Sequence, residues 1–482
     1  MLFNSFTFMI FLPVVFLLYW FVFKRHNWQN LLILVASYVF YGWWDWRFLV
    51  LIAITSLSSF VSGLLIEHYE GKRSAQKAVS AANIVLNLSI LAVFKYFNFF
   101  VESLDALLRA MGITMDWPTM NIILPVGISF YTLQALSYSI DVYSRKIQPT
   151  RDAIAFFSYI SFFPQLVAGP IELSTRLLPQ MLNKRTFDYA VAVDGMRQML
   201  WGFFKKLVIA DTCAEVVNYV WGDLNYASGL CLFLCAVVFS FQIYADFSGY
   251  SDIAIGCAKL FGIRLTTNFK VPYFSRNVQE FWHRWHITLM AWFTQYVYFP
   301  LGGSRCSKAR KIFNTMVVFI LSGLWHGANW TFVLWGLYYG LVLIIASEFC
   351  KQRYKDTAGH GRRMPTVREF FNMLVTYLSV IYGMVIFRSP DIFQFADYSR
   401  RLFSPLSFFS INGMTMKMAT ALLWCVAFIV IEWIQREREH VLQIDGYRIF
   451  STQAARLALY VFMFCLIFYF SGQVQTFIYF QF

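Results

Sequence analysis

Charged side chains are scarce in this chain: 14% of residues are Asp, Glu, Lys or Arg, against 59% hydrophobic and 20% aromatic. A soluble chain carries about 25% charged residues, so the balance excludes a soluble globular protein and points to a membrane protein. No polar stretch is long enough for a separate soluble domain of ~100 to 150 residues, which leaves one membrane domain of many spans and short loops. Paired cysteine spacing is also lacking. The eight cysteines include no C-x-x-C and lie mostly in or beside apolar runs, so packing is their expected role and neither a thiolate metal site nor a redox compartment is implied. No Gly-x-Ser-x-Gly elbow occurs, which leaves a serine hydrolase mechanism unsupported. No basic residue precedes the apolar run Phe6 to Phe23, whereas Lys24 and Arg25 follow it. A retained first span fits better than a cleaved signal peptide, with Met1 outside and the far end cytoplasmic.

What charge there is leans positive, 40 Lys and Arg against 26 Asp and Glu, a net of +14. In a membrane protein this excess collects in short cytoplasmic loops, where it sets orientation and meets anionic lipid headgroups. Membrane lipids are therefore an expected partner and nucleic acid is not.

Apolar runs of roughly the twenty residues that cross a bilayer lie near 6–23, 29–45, 48–66, 82–100, 121–143, 152–171, 196–220, 228–245, 312–347, 370–388, 417–434 and 455–479. The prediction is an all-α, polytopic integral membrane protein with about eleven transmembrane helices. The stretches 172–195 and 246–311 are too polar for simple crossings and predict re-entrant or interfacial helices. Segments 350–369 and 435–449 are expected to be solvated loops that hold His360 and His440, and His26 and His68 also sit beside charges.

From Ile312 to Ser347 no residue carries a full charge, yet His326 sits in the middle, within L-S-G-L-W-H-G-A-N-W. Basic residues flank both ends, Arg305, Lys308, Arg310 and Lys311 before and Lys351, Arg353 and Lys355 after. The stretch must then enter and return as two helices, with the turn near Ser322 to Asn329. Helical rise from Ile312 puts His326 about 21 Å deep in a hydrocarbon layer of about 30 Å. Ionisable groups at that depth are costly and mark functional sites. Trp325, Asn329 and Trp330 surround it with indole and amide donors, and Gly323 and Gly327 permit close backbone approach.

A second concentration of polar groups runs from Asn268 to Leu289, where Glu280, His283 and Arg284 fall at i, i+3, i+4 spacing and His283 and His286 at i, i+3. A metal site of His283, His286 and His326 lacks a carboxylate or thiolate at ligand spacing, so no metal is expected. Histidines held away from water suit acyl transfer instead. A neutral imidazole takes the proton of an attacking hydroxyl, and nearby donors stabilise the oxyanion that forms at a thioester carbonyl.

Five ordered strings carry a resemblance: L-P-V-G-I-S-F-Y-T at 124–132, F-F-P-Q-L-V-A-G-P-I at 162–171, Y-A-D-F-S-G-Y-S-D-I-A-I-G at 244–256, E-F-W-H-R-W-H-I-T-L at 280–289 and G-L-W-H-G-A-N-W at 323–330. They resemble the membrane-bound O-acyltransferases, in particular the alginate O-acetyltransferase branch, and the similarity extends from about residue 11 to about Gly340. The resemblance implies a bacterial inner-membrane enzyme with an outer funnel, a narrow tunnel and two histidines at their meeting point, over a single domain of peripheral helices (1–115), catalytic core (120–348) and C-terminal helices (370–482). His326 matches the family histidine, expected as general base or acyl-handling residue, and His286 its partner, orienting it or polarising the carbonyl. His283 departs from the arginine of relatives and is secondary. Glu280 and Arg284 are expected to organise the motif, with Trp285, Asp246, Ser248 and Gln242 supporting or lining the passage. The implied donor is a cytosolic thioester, acetyl-CoA, with no bound cofactor. The implied acceptor is an exported polysaccharide, reached directly or through a periplasmic or extracellular SGNH-like acetyltransferase partner. Two rivals remain: a D-alanyl or lipid acyltransferase of the same fold, and a transporter or channel, whose inverted repeats and paired interrupted helices are not found in the sequence.

Overall fold

The computed structural model describes residues 1–115, 123–349, 354, 356–472, 475, 477 and 478. Among them all regular structure is helical, as the composition predicts. Seven helices of the described residues are long and apolar enough to cross a membrane: Trp46–His68, Arg73–Ala110, Gly229–Leu260, Trp330–Phe349, Val367–Arg388, Met416–Gln435 and Gln453–Phe470. The other apolar runs fall short for local reasons. Phe6–Val22 is a shorter apolar helix, and the run 152–171 breaks at Phe162 into helices Ala153–Ser161 and Phe163–Leu166. Nine residues of helix reach only about 14 Å, and Pro164 opens the next segment where its missing N–H costs nothing. The basic residues Lys351, Arg353 and Lys355 lie outside the described residues, as does the start of the run 121–143.

The structure gathers into two compact units, Met1–Ala192 with Cys257–Thr266, and Val193–Gly256 with Thr267–Phe482. The first is held by small and amide side chains, as expected where lipid removes the hydrophobic drive between helices. Numbering helices from the N-terminus, α1 is Phe6–Leu17, α2 His26–Gly42, α3 Leu49–His68, α4 Arg73–Leu91, α5 Phe97–Ala110 and α6 Ile128–Tyr143. Helix α3 buries Thr55, Ser56, Ser59, Ser62 and Gly63. Ser62 Oγ meets Ser139 Oγ of α6 at 2.9 Å, and Asn83 Nδ2 of α4 donates to Ser59 Oγ at 3.1 Å. Gly127 caps α6 at φ 77°, and a Cβ there would stand 2.5 Å from the Leu166 carbonyl oxygen. Two of the quoted strings thus meet at a position open only to glycine.

The first unit continues with α7 Ala153–Ser161, α8 Phe163–Leu166 and α9 Ser174–Leu182, and the second takes most of α10 Tyr189–Phe204 and of α12 Gly229–Leu260, with α11 Asp211–Gly222, α13 Val278–Arg284, α14 Ile287–Phe293, α15 Lys308–His326, α16 Trp330–Phe349, α17 Val367–Arg388, α18 Ile392–Leu402, α19 Pro405–Phe408, α20 Met416–Gln435 and α21 Gln453–Phe470. Helix α12 does not stop where its apolar run ends at Ala245. It continues through Asp246, Ser248 and Ser251, all buried, because partners inside the protein satisfy those groups. Helices α15 and α16 form the hairpin expected from the uncharged stretch, with a turn confined to Gly327–Asn329. Gly323 and Gly327 leave room for the Phe332 backbone and ring, so the close approach they permit is helix to helix. Edge-on contacts of Trp282 with Phe319, Trp335 and Tyr339 seat α13 on this hairpin.

Candidate active site

The segment after α12 folds back so that Lys270 N donates to Arg284 O and Ile287 N to Asn268 O, at 3.0 and 2.9 Å. Between these bonds the chain must turn sharply, and His286 takes it in the left-handed region, φ 46° and ψ 51°. That conformation costs a non-glycine residue about 1–2 kcal/mol, which the flanking bonds and burial offset. The imidazole is 1% exposed, with Phe247 edge-on at 4.7 Å.

Asn268 determines how that imidazole is protonated. Its Oδ1 accepts from Thr288 N at 3.3 Å and Thr288 Oγ1 at 2.9 Å, and lies 3.2 Å from His286 Nδ1. A backbone N–H can only donate, so the amide atom facing it is the oxygen, and a neutral ring must present Nδ1–H to that oxygen. The lone pair then resides on Nε2, which has no hydrogen-bond partner among the described residues.

His326, 5% exposed, ends α15 and is delivered to the same place. The two imidazole centroids are 6.4 Å apart. Trp325 stands beside both, 5.8 Å from His286 and 5.1 Å from His326, while Trp335 and Phe387 enclose His326 at 5.0 and 5.4 Å. Two histidines far apart in sequence therefore share one aromatic chamber.

The other expected residues divide into groups. Glu280 is clamped between two guanidiniums: Arg276 and Arg284 each donate through Nε at 3.1 Å and Nη2 at 2.9 Å. The Glu280 N–H donates in turn to the Asn277 cap. Trp285 packs among Tyr244, Phe269 and Phe281. Asn329 is removed from the chamber's ring contacts: it caps α16 by accepting from Thr331 N and donates to Pro390 O. Gln242 is buried on α12, and its Oε1 has no hydrogen-bond partner among the described residues. His283 lines a different cavity. Among the described residues, no three His, Cys, Asp or Glu side chains are grouped to hold a metal ion.

Asp246 and Ser248 are held by two residues that no sequence motif singles out. A π-helical turn, Lys205–Ala210, joins α10 to α11, a local widening frequent at functional sites. It buries two consecutive lysines. Lys205 Nζ meets Asp252 at 2.6 Å and Ser248 Oγ at 2.9 Å. Lys206 Nζ meets Asp211 at 2.8 Å and Asp246 at 2.9 Å. Asp246 also accepts the Ile478 N–H at 2.8 Å. The signal that could have found them is a pair of charges inside the apolar run 196–220. Beside this network lies a cavity of about 350 Å³, lined by Lys205, Ser248, Asp252, Asn268, Lys270 and Arg438 among others, so the residue that orients His286 also forms part of a cavity wall.

A chamber of two buried histidines, one with an uncommitted lone pair, suits proton transfer during attack on a carbonyl. The family model for the membrane-bound O-acyltransferases matches residues 38–388. The chain belongs to the membrane-bound O-acyltransferase family. It is 37% identical, over 81% of this chain and 73% of the relative, to a Pseudomonas aeruginosa protein named "Probable alginate O-acetylase AlgI". A Helicobacter pylori peptidoglycan O-acetyltransferase is 30% identical over 100% of this chain and 98% of the relative. A Bacillus subtilis teichoic acid D-alanyltransferase is 26% identical over 56% and 70%. This membrane-bound O-acyltransferase is thus an acyltransferase and a multi-pass membrane protein, which sets the transporter reading aside.

Proposed function

We propose that the protein moves an acetyl group from cytosolic acetyl-CoA across a bacterial inner membrane, with Met1 outside, for O-acetylation of an exported polysaccharide. The acceptor side is served directly or by a periplasmic or extracellular SGNH-like acetyltransferase partner. The observation that carries this reading is the Thr288–Asn268–His286 chain, which leaves Nε2 of His286 ready to accept a proton beside His326.

In the proposed transfer the base role expected of His326 falls to His286, because the Asn268 contact leaves the lone pair on its Nε2. The acceptor hydroxyl oxygen attacks the thioester carbonyl carbon, and its proton passes to His286 Nε2. His326 handles the acyl group, donating an N–H to the oxyanion. The C–S bond then breaks, and the thiolate leaves with the proton that His286 returns. Lys270 and Arg438, which have no ion-pair partner among the described residues, line the cavity that Asn268 helps form, together with Asp252, Glu432, Glu437 and Glu439, and these two cations suit the phosphates of a CoA thioester. The names of relatives that acetylate alginate or peptidoglycan support a glycan acceptor.

The test is His326→Ala, checked for insertion and folding, with acetate measured on the exported polymer. Loss of acetylation is expected, and normal acetylation overturns the mechanism. Labelled acetyl-CoA offered to purified protein in vesicles tests the donor: consumption is expected, and none, with transfer from a carrier-bound thioester, overturns the acetyl-CoA assignment while leaving the histidine chemistry intact.

A further inference from the structure

A second cavity, about 470 Å³, opens beside the basic end of the α15–α16 hairpin, within the usual ~300–1,000 Å³ of a ligand site. Its outer wall is one face of α15, read at helical spacing as Lys308, Lys311, Ile312, Thr315, Val318 and Phe319. The facing wall on α16 repeats the gradient, from Glu348 and Ser347 to Ile344 and Leu343. Both walls run from charge through hydroxyl to hydrocarbon, which is the profile of an amphiphile lying along them.

The charge at the mouth is positive. Lys308 answers Glu348 at 2.9 Å, while Lys311 has no ion-pair partner among the described residues. Next to the mouth, Ile312, Phe313, Leu341 and Ile345 are 36%, 51%, 53% and 56% exposed. These apolar groups are the flank that faces lipid in a membrane protein. The inner wall consists of Gln279 and His283 of α13 and Met290 of α14, the helices on either side of His286.

We propose that this cavity is a binding site for an anionic glycerophospholipid, its phosphate between Lys308 and Lys311 and an acyl chain along Ile312, Leu343 and Ile344. A zwitterionic lipid supplies the chain but not the net negative charge that Lys311 requires. The proposal is independent of the acyl-donor assignment. It gives His283 a place, on the wall of a lipid site rather than in the histidine chamber.

The test uses the full chain in nanodiscs of phosphatidylcholine with or without phosphatidylglycerol, reading melting temperature and lipids retained after purification. Phosphatidylglycerol is expected to raise the melting temperature by about 2–4 °C and to be retained selectively. The double variant Lys308→Gln/Lys311→Gln should lose both effects yet melt normally in phosphatidylcholine. Ile344→Trp, which fills the chain end and keeps both cations, should lose retention as well. Equal retention in either variant, or equal stabilisation by phosphatidylcholine alone, overturns the proposal. So does the same shift produced in phosphatidylcholine nanodiscs by inorganic phosphate, which would mark a simple anion site, or by acetyl-CoA, which would mark a donor site.

Discussion

Asn268 Oδ1 stands 3.2 Å from His286 Nδ1 and takes a hydrogen bond from the backbone of Thr288 at the same time. A side chain eighteen residues earlier thus decides which nitrogen of the buried imidazole carries its proton. The outer partner of a metal-ligating histidine is typically worth about 10–100-fold when lost, and the same scale serves by analogy for this metal-free imidazole.

Asn268→Leu should therefore lower acetyl transfer by about 10–100-fold, with acetyl-CoA affinity changed much less. Asn268→Asp separates orientation from packing. A carboxylate favours the imidazolium form, so His286 would stay protonated to higher pH and the acid limb of the rate profile should move upward. A pH–rate profile of the purified variant checks this, and an unmoved limb would show that His286 is not the base.

His286→Gln and His326→Ala should each reduce transfer severely, and the double variant should be little worse than either single one. Residues that act as a unit in one step are strongly non-additive. Rates from the three variants in a common vesicle assay check the coupling.

Glu280 has a different task. It is 4% exposed and accepts from Arg276 and Arg284. Glu280→Gln removes the carboxylate shared by Arg276 and Arg284, leaving, among the described residues, Arg276 with Glu369 alone and Arg284 with no ion pair, and breaking buried pairs in this way costs about 3–5 kcal/mol. The expected outcome is a lower melting temperature and a smaller folded yield, measured by thermal unfolding in detergent. The folded fraction should retain transfer activity.

Gly127→Ala should damage the first unit. The backbone there is left-handed at φ 77°, and the new methyl would stand 2.5 Å from the Leu166 carbonyl oxygen. The conformational term alone is about 1–2 kcal/mol, so the yield of inserted, folded protein should fall while acetyl-CoA affinity of the remainder is unchanged.

Lys205→Met tests the cavity. It leaves Asp252 with only the neutral Gln198 amide as partner among the described residues and removes a cation from the wall, so KM for acetyl-CoA is expected to rise about tenfold, the effect of roughly 1.4 kcal/mol. An unchanged KM with a lowered melting temperature would reduce Lys205 to a structural role.

Much of the architecture is legible in the amino-acid sequence. The hairpin α15–α16 follows from an uncharged stretch with basic residues before it, and counting helical rise places His326 in its depth. Glu280 and Arg284 are legible as organisers because i, i+4 spacing puts them on one helix face. Asn329 is legible only as a polar neighbour. Adjacent sequence does not say which way a side chain turns, and the fold uses this one to cap α16. The run 152–171 is indistinguishable from a span because hydropathy does not register the break at Phe162.

The sequence by itself determined an all-helical membrane protein and its family, and singled out the two histidines proposed to carry its chemistry. Those properties depend on composition, run length and local strings, which are additive along the chain. Only the tertiary structure decided that Asn268 holds His286, that Lys206 meets both Asp211 and Asp246, and that the imidazole rings come within 6.4 Å. Each is a pairing of groups whose partners are chosen by the fold, because a buried polar atom accepts whichever complement the packed backbone brings within hydrogen-bond reach.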